Sequence, residues 1–167
     1  HHDVVGWTAR LDTIQAAALS VKLPLLDGWN AARRSVAAAY GAQLEGVGDL
    51  VLPPVAPASD PVWHLYVIRT ADPVGLAEFL ATRGIASGRH YPVPPHRTGA
   101  YESLGYAAGA FPVAERIAAE CLSLPMFPTL TEAQVARAAM APGQVGQHPG
   151  AALGIGPAVQ DQRIAGS

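Results

Sequence analysis

The chain has 167 residues, 50% of them hydrophobic and 14% charged, with a formal net charge of −2. That length and apolar content suit a single domain with a core and argue against wholesale disorder. Eleven basic residues against thirteen acidic ones, scattered rather than clustered, leave no electrostatic footprint for nucleic acid or an anionic membrane face.

No apolar run reaches the roughly 20 residues that span a bilayer. The N-terminus lacks a basic region followed by an apolar one, so no signal peptide is expected. Cys121 is the single cysteine, which leaves no intrachain disulfide and no cysteine zinc cluster, and makes the cytoplasm the expected compartment. The first residue is His1 rather than Met, as in a processed, tagged or cut chain, and His1-His2 resembles the end of a purification tag.

From Thr8 onward, Leu11, Ile14, Ala18, Val21 and Leu25 recur at alternating spacings of three and four, the stripe of an amphipathic helix. Thr8 can cap its start, Asp12 in the first turn suits the helix dipole, and Pro24 should kink or end it near Leu23. A second helix is expected from about Leu25 to Tyr40. Leu19, Leu23 and Leu26 widen the seam beyond what one neighbouring face needs, which fits either a partner subunit or an ordinary core helix. A turn-rich patch from Gly41 to Pro61 follows. Val62 to Arg69, with Trp63, Leu65 and Val67 alternating with His64, Tyr66 and Ile68, has the period of a strand, which makes His64 a core or interface histidine.

Asp72 and Pro73 then open a helix with Leu76, Phe79 and Leu80 on its apolar face and Gly84 at its end. Ile85 to Arg89 reads as a short strand and Ala107 to Phe111 as a loop. Pro112 to Glu120 reads as a helix burying Val113, Ile117 and Ala118, and Cys121 to Leu124 as a third strand. Thr131 and Gln134 have the spacing of a capping box and open a last helix reaching Ala141. This order suggests an α+β sandwich, helices on one face of a small sheet. Residues 142–167 are Gly- and Pro-rich without periodicity and read as a flexible tail.

Chemistry-bearing residues are few. Lys22, the only lysine, sits mid-helix beside the kink, where its stem packs along the helix and its head reaches water. Arg10 could meet an anion or pair with Asp12 or Asp3. The densest candidate is His90-Tyr91-Pro92-Val93-Pro94-Pro95-His96, in which prolines stiffen a loop displaying two imidazoles and a phenol at a strand end. Two histidines six apart with no third ligand nearby are a poor zinc site, so no metal is expected. A rigid loop with hydrogen-bonded imidazoles is the alternative to a binding loop. No phosphate loop, Ser/His/Asp order or paired carboxylates emerge.

The run Gly6-Trp7-Thr8-Ala9-Arg10-Leu11-Asp12-Thr13-Ile14-Gln15-Ala16-Ala17, with Leu19, Lys22 and Leu23 behind it, resembles the G-x-N-x-R-L-D-x-x-Q-A-A-x-L-x-x-K-L signature of the DegT/DnrJ/StrS-type sugar aminotransferases. Further matches follow in order: His64-Leu65-Tyr66-Val67-Ile68, Gly84-Ile85, His90-Tyr91-Pro92 with Pro94 and His96, Tyr101 and Leu104-Gly105. After these come Phe111-Pro112-Val113-Ala114-Glu115, Leu122-Ser123-Leu124-Pro125-Met126 and Leu130-Thr131-Glu132. The resemblance covers about residues 2 to 141 and favours His2 as native sequence. It implies a pyridoxal-phosphate enzyme moving an amino group, typically from glutamate, onto a nucleotide-linked keto sugar.

The implied fold is the small C-terminal domain of the aspartate-aminotransferase type, residues 1–141 with a long leading interdomain helix, and a homodimer. The large N-terminal domain, with the Schiff-base lysine and the carboxylate facing the pyridine nitrogen, is absent from this chain. Lys22 matches the family's helix lysine and not the catalytic one, so no catalytic residue is expected here and the chain alone is expected to be inactive. Thr8 stands where the family has an Asn reaching the partner's cofactor phosphate. Its hydroxyl can donate one hydrogen bond but is shorter. Arg10 matches the family's Arg and could hold the cofactor phosphate or the sugar nucleotide's pyrophosphate through two hydrogen bonds. The resemblance assigns His90, Tyr91 and His96 to sugar-nucleotide binding. Two alternatives stay open: a non-catalytic remnant that dimerises or binds a partner, and a sugar dehydratase of the same family.

Overall fold

The computed structural model describes residues 3–6 and 11–145. Helix α1 (Thr13–Lys22) is capped by Asp12, whose Oδ1 accepts the Gln15 amide at 2.8 Å. The capping residue is therefore Asp12 rather than Thr8, which lies outside the described residues. Pro24 has no amide hydrogen to donate, and a 3₁₀ turn (Leu23–Leu25) interrupts the helix there, as expected. Helix α2 (Leu26–Leu44) continues four residues beyond Tyr40 and buries Val36, Ala37, Tyr40 and Leu44.

Strand β1 (Tyr66–Arg69) is half the length that the alternation suggests. Trp63 sits at φ +50°, in the left-handed region that disfavours a bulky side chain, and His64 is exposed on the bend that follows. The Trp63 ring packs 5.3 Å from that of Tyr66, so burial of the indole holds a backbone conformation that cannot belong to a strand. Consequently His64 is neither in the sheet nor in the core.

Helix α3 (Pro73–Thr82) starts as expected: Asp72 accepts the Gly75 amide at 2.8 Å, and Pro73 occupies the first turn where no amide donor is missed. It buries Leu76 and Leu80. Helix α4 (Pro112–Glu120) has the expected limits, but of its three apolar candidates only Ala118 is buried, Val113 and Ile117 being 60% and 44% exposed.

Strand β2 (Cys121–Leu124) pairs antiparallel with β1, Tyr66 opposite Leu124 and Ile68 opposite Leu122. Ile85 to Arg89 is not a strand. Only Gly88 bridges, exchanging two backbone hydrogen bonds with Ser123 on the outer edge of β2, as Val51 does with Arg69 on the outer edge of β1. Helix α5 (Glu132–Val145) begins with the expected reciprocal cap between Thr131 and Gln134. It runs past Ala141 through Pro142 to Val145, after the residues Val135, Ala138 and Ala139 that it buries. Residues 146–167 of the expected tail lie outside the described residues.

Opposed residues of a strand pair share a face. Tyr66, Ile68, Leu122 and Leu124 face the core with Tyr40 and Leu44 of α2, Leu76 and Leu80 of α3, Ile85, and Val135, Ala138 and Ala139 of α5. Val67, Arg69, Cys121 and Ser123 face the other way, where Ser123 meets His90 and Cys121 meets the Tyr91 carbonyl. The sheet thus has a helical layer on one face and the candidate loop on the other. By contrast α1 and the 3₁₀ turn after it bury no residue, with Ile14 84%, Val21 76% and Leu23 67% exposed. The core-helix reading of this stripe is not met among the described residues. No helix among them is long and apolar enough to cross a membrane.

Candidate functional site

Arg89 anchors the loop. Its guanidinium donates to the carbonyls of Ala118, of Ala119 (2.7 Å) and of Cys121 (3.3 Å), satisfying acceptors that the end of α4 leaves without helical partners. His90 comes next, its Nδ1 2.9 Å from the hydroxyl of buried Ser123. A Cβ on Gly88 would stand 3.1 Å from His90 Cε1, so glycine keeps room for the imidazole beside the sheet edge. The peptide bond joining His90 and Tyr91 is cis, and the two rings meet edge-on at 5.4 Å.

Tyr91 lines a cavity of about 760 Å³, walled also by Val4, Val5, Val93, Tyr101 and Ile117 among others. Its lining is mostly apolar, with Tyr91, Thr98 and Tyr101 as polar-tipped exceptions, the make-up of a small-molecule pocket. His96, in a 3₁₀ turn (Pro95–Arg97), faces away from this space. Its Nε2 lies 3.0 Å from Glu115 of α4, and its ring packs 4.6 Å from that of Phe111. Glu115 also accepts the Gly109 amide (2.9 Å) and the Phe111 amide (3.3 Å). These amides, Gly109 foremost, and the His96 hydrogen bond hold its carboxyl below the ordinary value of 4.5.

The three loop residues singled out from sequence therefore share one segment but not one pocket. Tyr91 lines the cavity, His90 is seated on Ser123, and His96 is turned to Glu115, so the hydrogen-bonded-imidazole alternative describes both histidines. Sequence reasoning passed over Ser123 and Glu115, their partners, and gave Tyr101 and Thr98 no role in the cavity. A proline opening α4 with an acid in its first turn was the available signal for Glu115.

Thr8 and Arg10 lie outside the described residues. Lys22 ends α1, exposed and apart from the residues that line the cavity. The described residues do not by themselves fit pyridoxal phosphate, which needs an amine in a pocket and donors around its phosphate, so no chemical step is assigned to it in this chain. No group of three or more His, Cys, Asp or Glu among the described residues is placed to hold a metal ion.

Residues 1–141 match the model of the DegT/DnrJ/EryC1/StrS aminotransferase family. The chain is 45% identical to the erythromycin biosynthesis sensory transduction protein EryC1 of Saccharopolyspora erythraea, over 78% of this chain and 36% of that protein. It is 43% identical to the dTDP-3-amino-3,4,6-trideoxy-alpha-D-glucose transaminase of Streptomyces venezuelae, over 81% of this chain and 36% of that protein. The crystal structure of S. venezuelae DesV in complex with a ketimine intermediate superposes with a TM-score of 0.80 at 40% identity, covering 89% of this chain and 40% of that one. A family aminotransferase from Brucella abortus gives a TM-score of 0.76 at 33% identity, covering 86% of this chain and 38% of its own. The chain spans little more than a third of the length of these curated relatives.

Proposed function

Since the chain belongs to the DegT/DnrJ/EryC1/StrS aminotransferase family, we propose that it is the C-terminal part of a pyridoxal-phosphate-dependent aminotransferase acting on a nucleotide-linked keto sugar. Glutamate is the amino donor in this reading, the cytoplasm its compartment and amino-sugar biosynthesis its setting. The observation that carries it is the 43% identity, across four-fifths of this chain, to a protein named as a dTDP-amino-sugar transaminase. Residues 1–141 are then the small domain with its leading helix, and the cofactor-bearing lysine belongs to a preceding large domain.

In that protein the cofactor supplies the electron sink for moving the amino group, and this chain supplies shape. Tyr91 offers a ring face and a hydroxyl at the mouth of the cavity, which suits an aromatic base or sugar edge. His90 and His96, seated on Ser123 and Glu115, serve the substrate site by holding the stiffened loop that presents Tyr91, and such a loop loses less entropy on binding than a flexible one. Thr8 and Arg10 are assigned to the cofactor phosphate. The uncovered α1 stripe is assigned to a homodimer contact, since an apolar face of this extent marks an interaction surface.

The test is the intact mass of the native gene product, detected in an extract of its source with an antibody against this chain. A mass well above 17.3 kDa, with pyridoxal phosphate trapped by borohydride on a lysine upstream of Gly6, is the expected result. A mass near 17.3 kDa would leave a fold without its chemistry and turn the search to binding partners. The chain alone is expected to show no transaminase turnover with added pyridoxal phosphate, and a stoichiometric adduct on Lys22 that supports turnover would overturn the reading.

A further inference from the structure

The segment from Pro95 to Phe111 contributes no buried residue, yet it forms one wall of the cavity through Thr98, Ala100 and Tyr101. Apolar burial therefore does little to hold it. The opposite wall is α4, through Ala114, Ile117 and Ala118. Glu115 stands between two of these wall residues in sequence and turns its carboxylate to the segment instead. Its Oε1 and Oε2 lie 3.0 and 2.9 Å from the Gly109 amide, and Oε1 also takes the Phe111 amide at 3.3 Å and faces His96 Nε2 at 3.0 Å. Gly109, at φ +85°, turns its amide inward with a backbone conformation that most residues resist. Phe111 and Tyr106, with rings 5.0 Å apart, pack around the imidazole.

We propose that Glu115 is a positioning residue: its carboxylate clamps His96 and Gly109 of the segment 96–111 to α4 and so fixes Thr98, Ala100 and Tyr101 at their distance from the α4 wall. One carboxylate gathers His96 and Gly109 beside the ring cluster of His96, Tyr106 and Phe111, and hydrogen bonds to a charged acceptor are the strong ones. The consequence for a sugar nucleotide rests on the functional reading given above, whereas the clamp is testable without any ligand.

The clamp is also a function of pH. A carboxyl held below its ordinary value contributes order that is complete above the unfolded value and lost as pH falls through the lower folded one. The window is thus below pH 4.5, the ordinary value. Among the described residues, Arg97, Glu102 and Tyr106 line a polar pocket with His96, the partner of Glu115. Arg116 and Glu120 follow on α4, the latter paired with Arg69 at 2.9 Å.

The experiment uses the 167-residue chain and its Glu115→Ala and Glu115→Gln variants, followed by amide hydrogen exchange and by NMR across an acid titration. In Glu115→Ala, amides of residues 96–111 should exchange about tenfold faster or more while those of Ile68 and Leu122 stay within about twofold, the signature of a local opening. In the wild-type chain the Gly109 amide and Tyr101 ring signals should shift with one common acid midpoint, and Glu115→Gln should abolish that midpoint. Unchanged protection in the segment, loss spread equally to the sheet, or separate midpoints for Gly109 and Tyr101 would each overturn the clamp. The titration of the wild-type chain decides the matter even where the alanine variant does not fold. A clamp that titrates as described, in a chain whose Tyr91 and Tyr101 signals ignore added dTDP, counts against the substrate reading alone.

Discussion

Tyr40 combines packing and polarity in one side chain. Fully buried on α2, it stacks 5.0 Å from Tyr66 and donates its hydroxyl to the Pro125 carbonyl at 3.1 Å, tying the helical layer to the end of β2. Burial, and then the neighbouring Tyr66, push the phenol up from 10.0 to about 12. Folding therefore favours the neutral form. The stabilisation is complete below pH 10 and is lost as pH rises toward about 12, because the unfolded chain ionises first. The part of the tyrosinate absorbance that Tyr40→Phe removes should rise toward about 12, accompanied by loss of stability to denaturant in this window. Ionisation of Tyr40 at the ordinary 10.0 with the fold intact would contradict the argument. Tyr40→Phe should cost about 1 kcal/mol in denaturant unfolding through the lost hydrogen bond, with no loss of packing volume. At this scale the candidate site was half legible. Histidines and a tyrosine on a proline-stiffened loop stand out in the sequence, but their partners Ser123 and Glu115 are 33 and 19 residues away. Only the fold brings those pairs together, and only the fold shows that two of the three side chains are turned from the cavity.

Caps were the most legible elements, because a cap is a local hydrogen bond between residues three apart. Asp72 with Gly75 and Thr131 with Gln134 form as their spacing dictates. The strands were less legible, because pairing is not local. Tyr66 to Arg69 find their partner more than 50 residues on, Trp63 leaves the strand to bury its indole, and Ile85 to Arg89 meet β2 at Gly88 alone. The register of α4 also misled: Ala118 is buried, but Ile117 lines a cavity and Val113 is exposed. Two cap substitutions separate local from global stability. Asp72→Ala removes the cap of a helix that buries Leu76 and Leu80, and should lower the unfolding free energy of the whole domain by about 1 kcal/mol. Asp12→Ala removes a cap of equal quality from α1, which buries nothing in this chain. It should reduce far-ultraviolet helical signal without moving the denaturation midpoint of the core. Equal shifts of the midpoint in both variants would show that α1 is coupled to the core.

Over the whole molecule, apolar surface is unevenly covered. One face of the sheet is sealed by α2, α3 and α5, while Ile14, Leu19, Val21, Leu23 and Leu25 lie more than half exposed along α1 and the turn that follows. An isolated exposed leucine is unremarkable, but a contiguous stripe is not, since each such side chain gains on the order of 1.5–3 kcal/mol when removed from water. The chain alone should therefore self-associate in a concentration-dependent way, visible by sedimentation velocity. Replacing Leu19 and Leu23 together by Glu should return it to a single species of monomer mass. Because neither residue touches the core, the same double variant should keep the wild-type denaturation midpoint. A wild-type chain that stays monodisperse at high concentration would mean that the stripe is tolerated in water, as in a domain adapted to stand alone. That result would remove the physical ground for the homodimer contact while leaving the family assignment, which rests on sequence over residues 1–141, untouched.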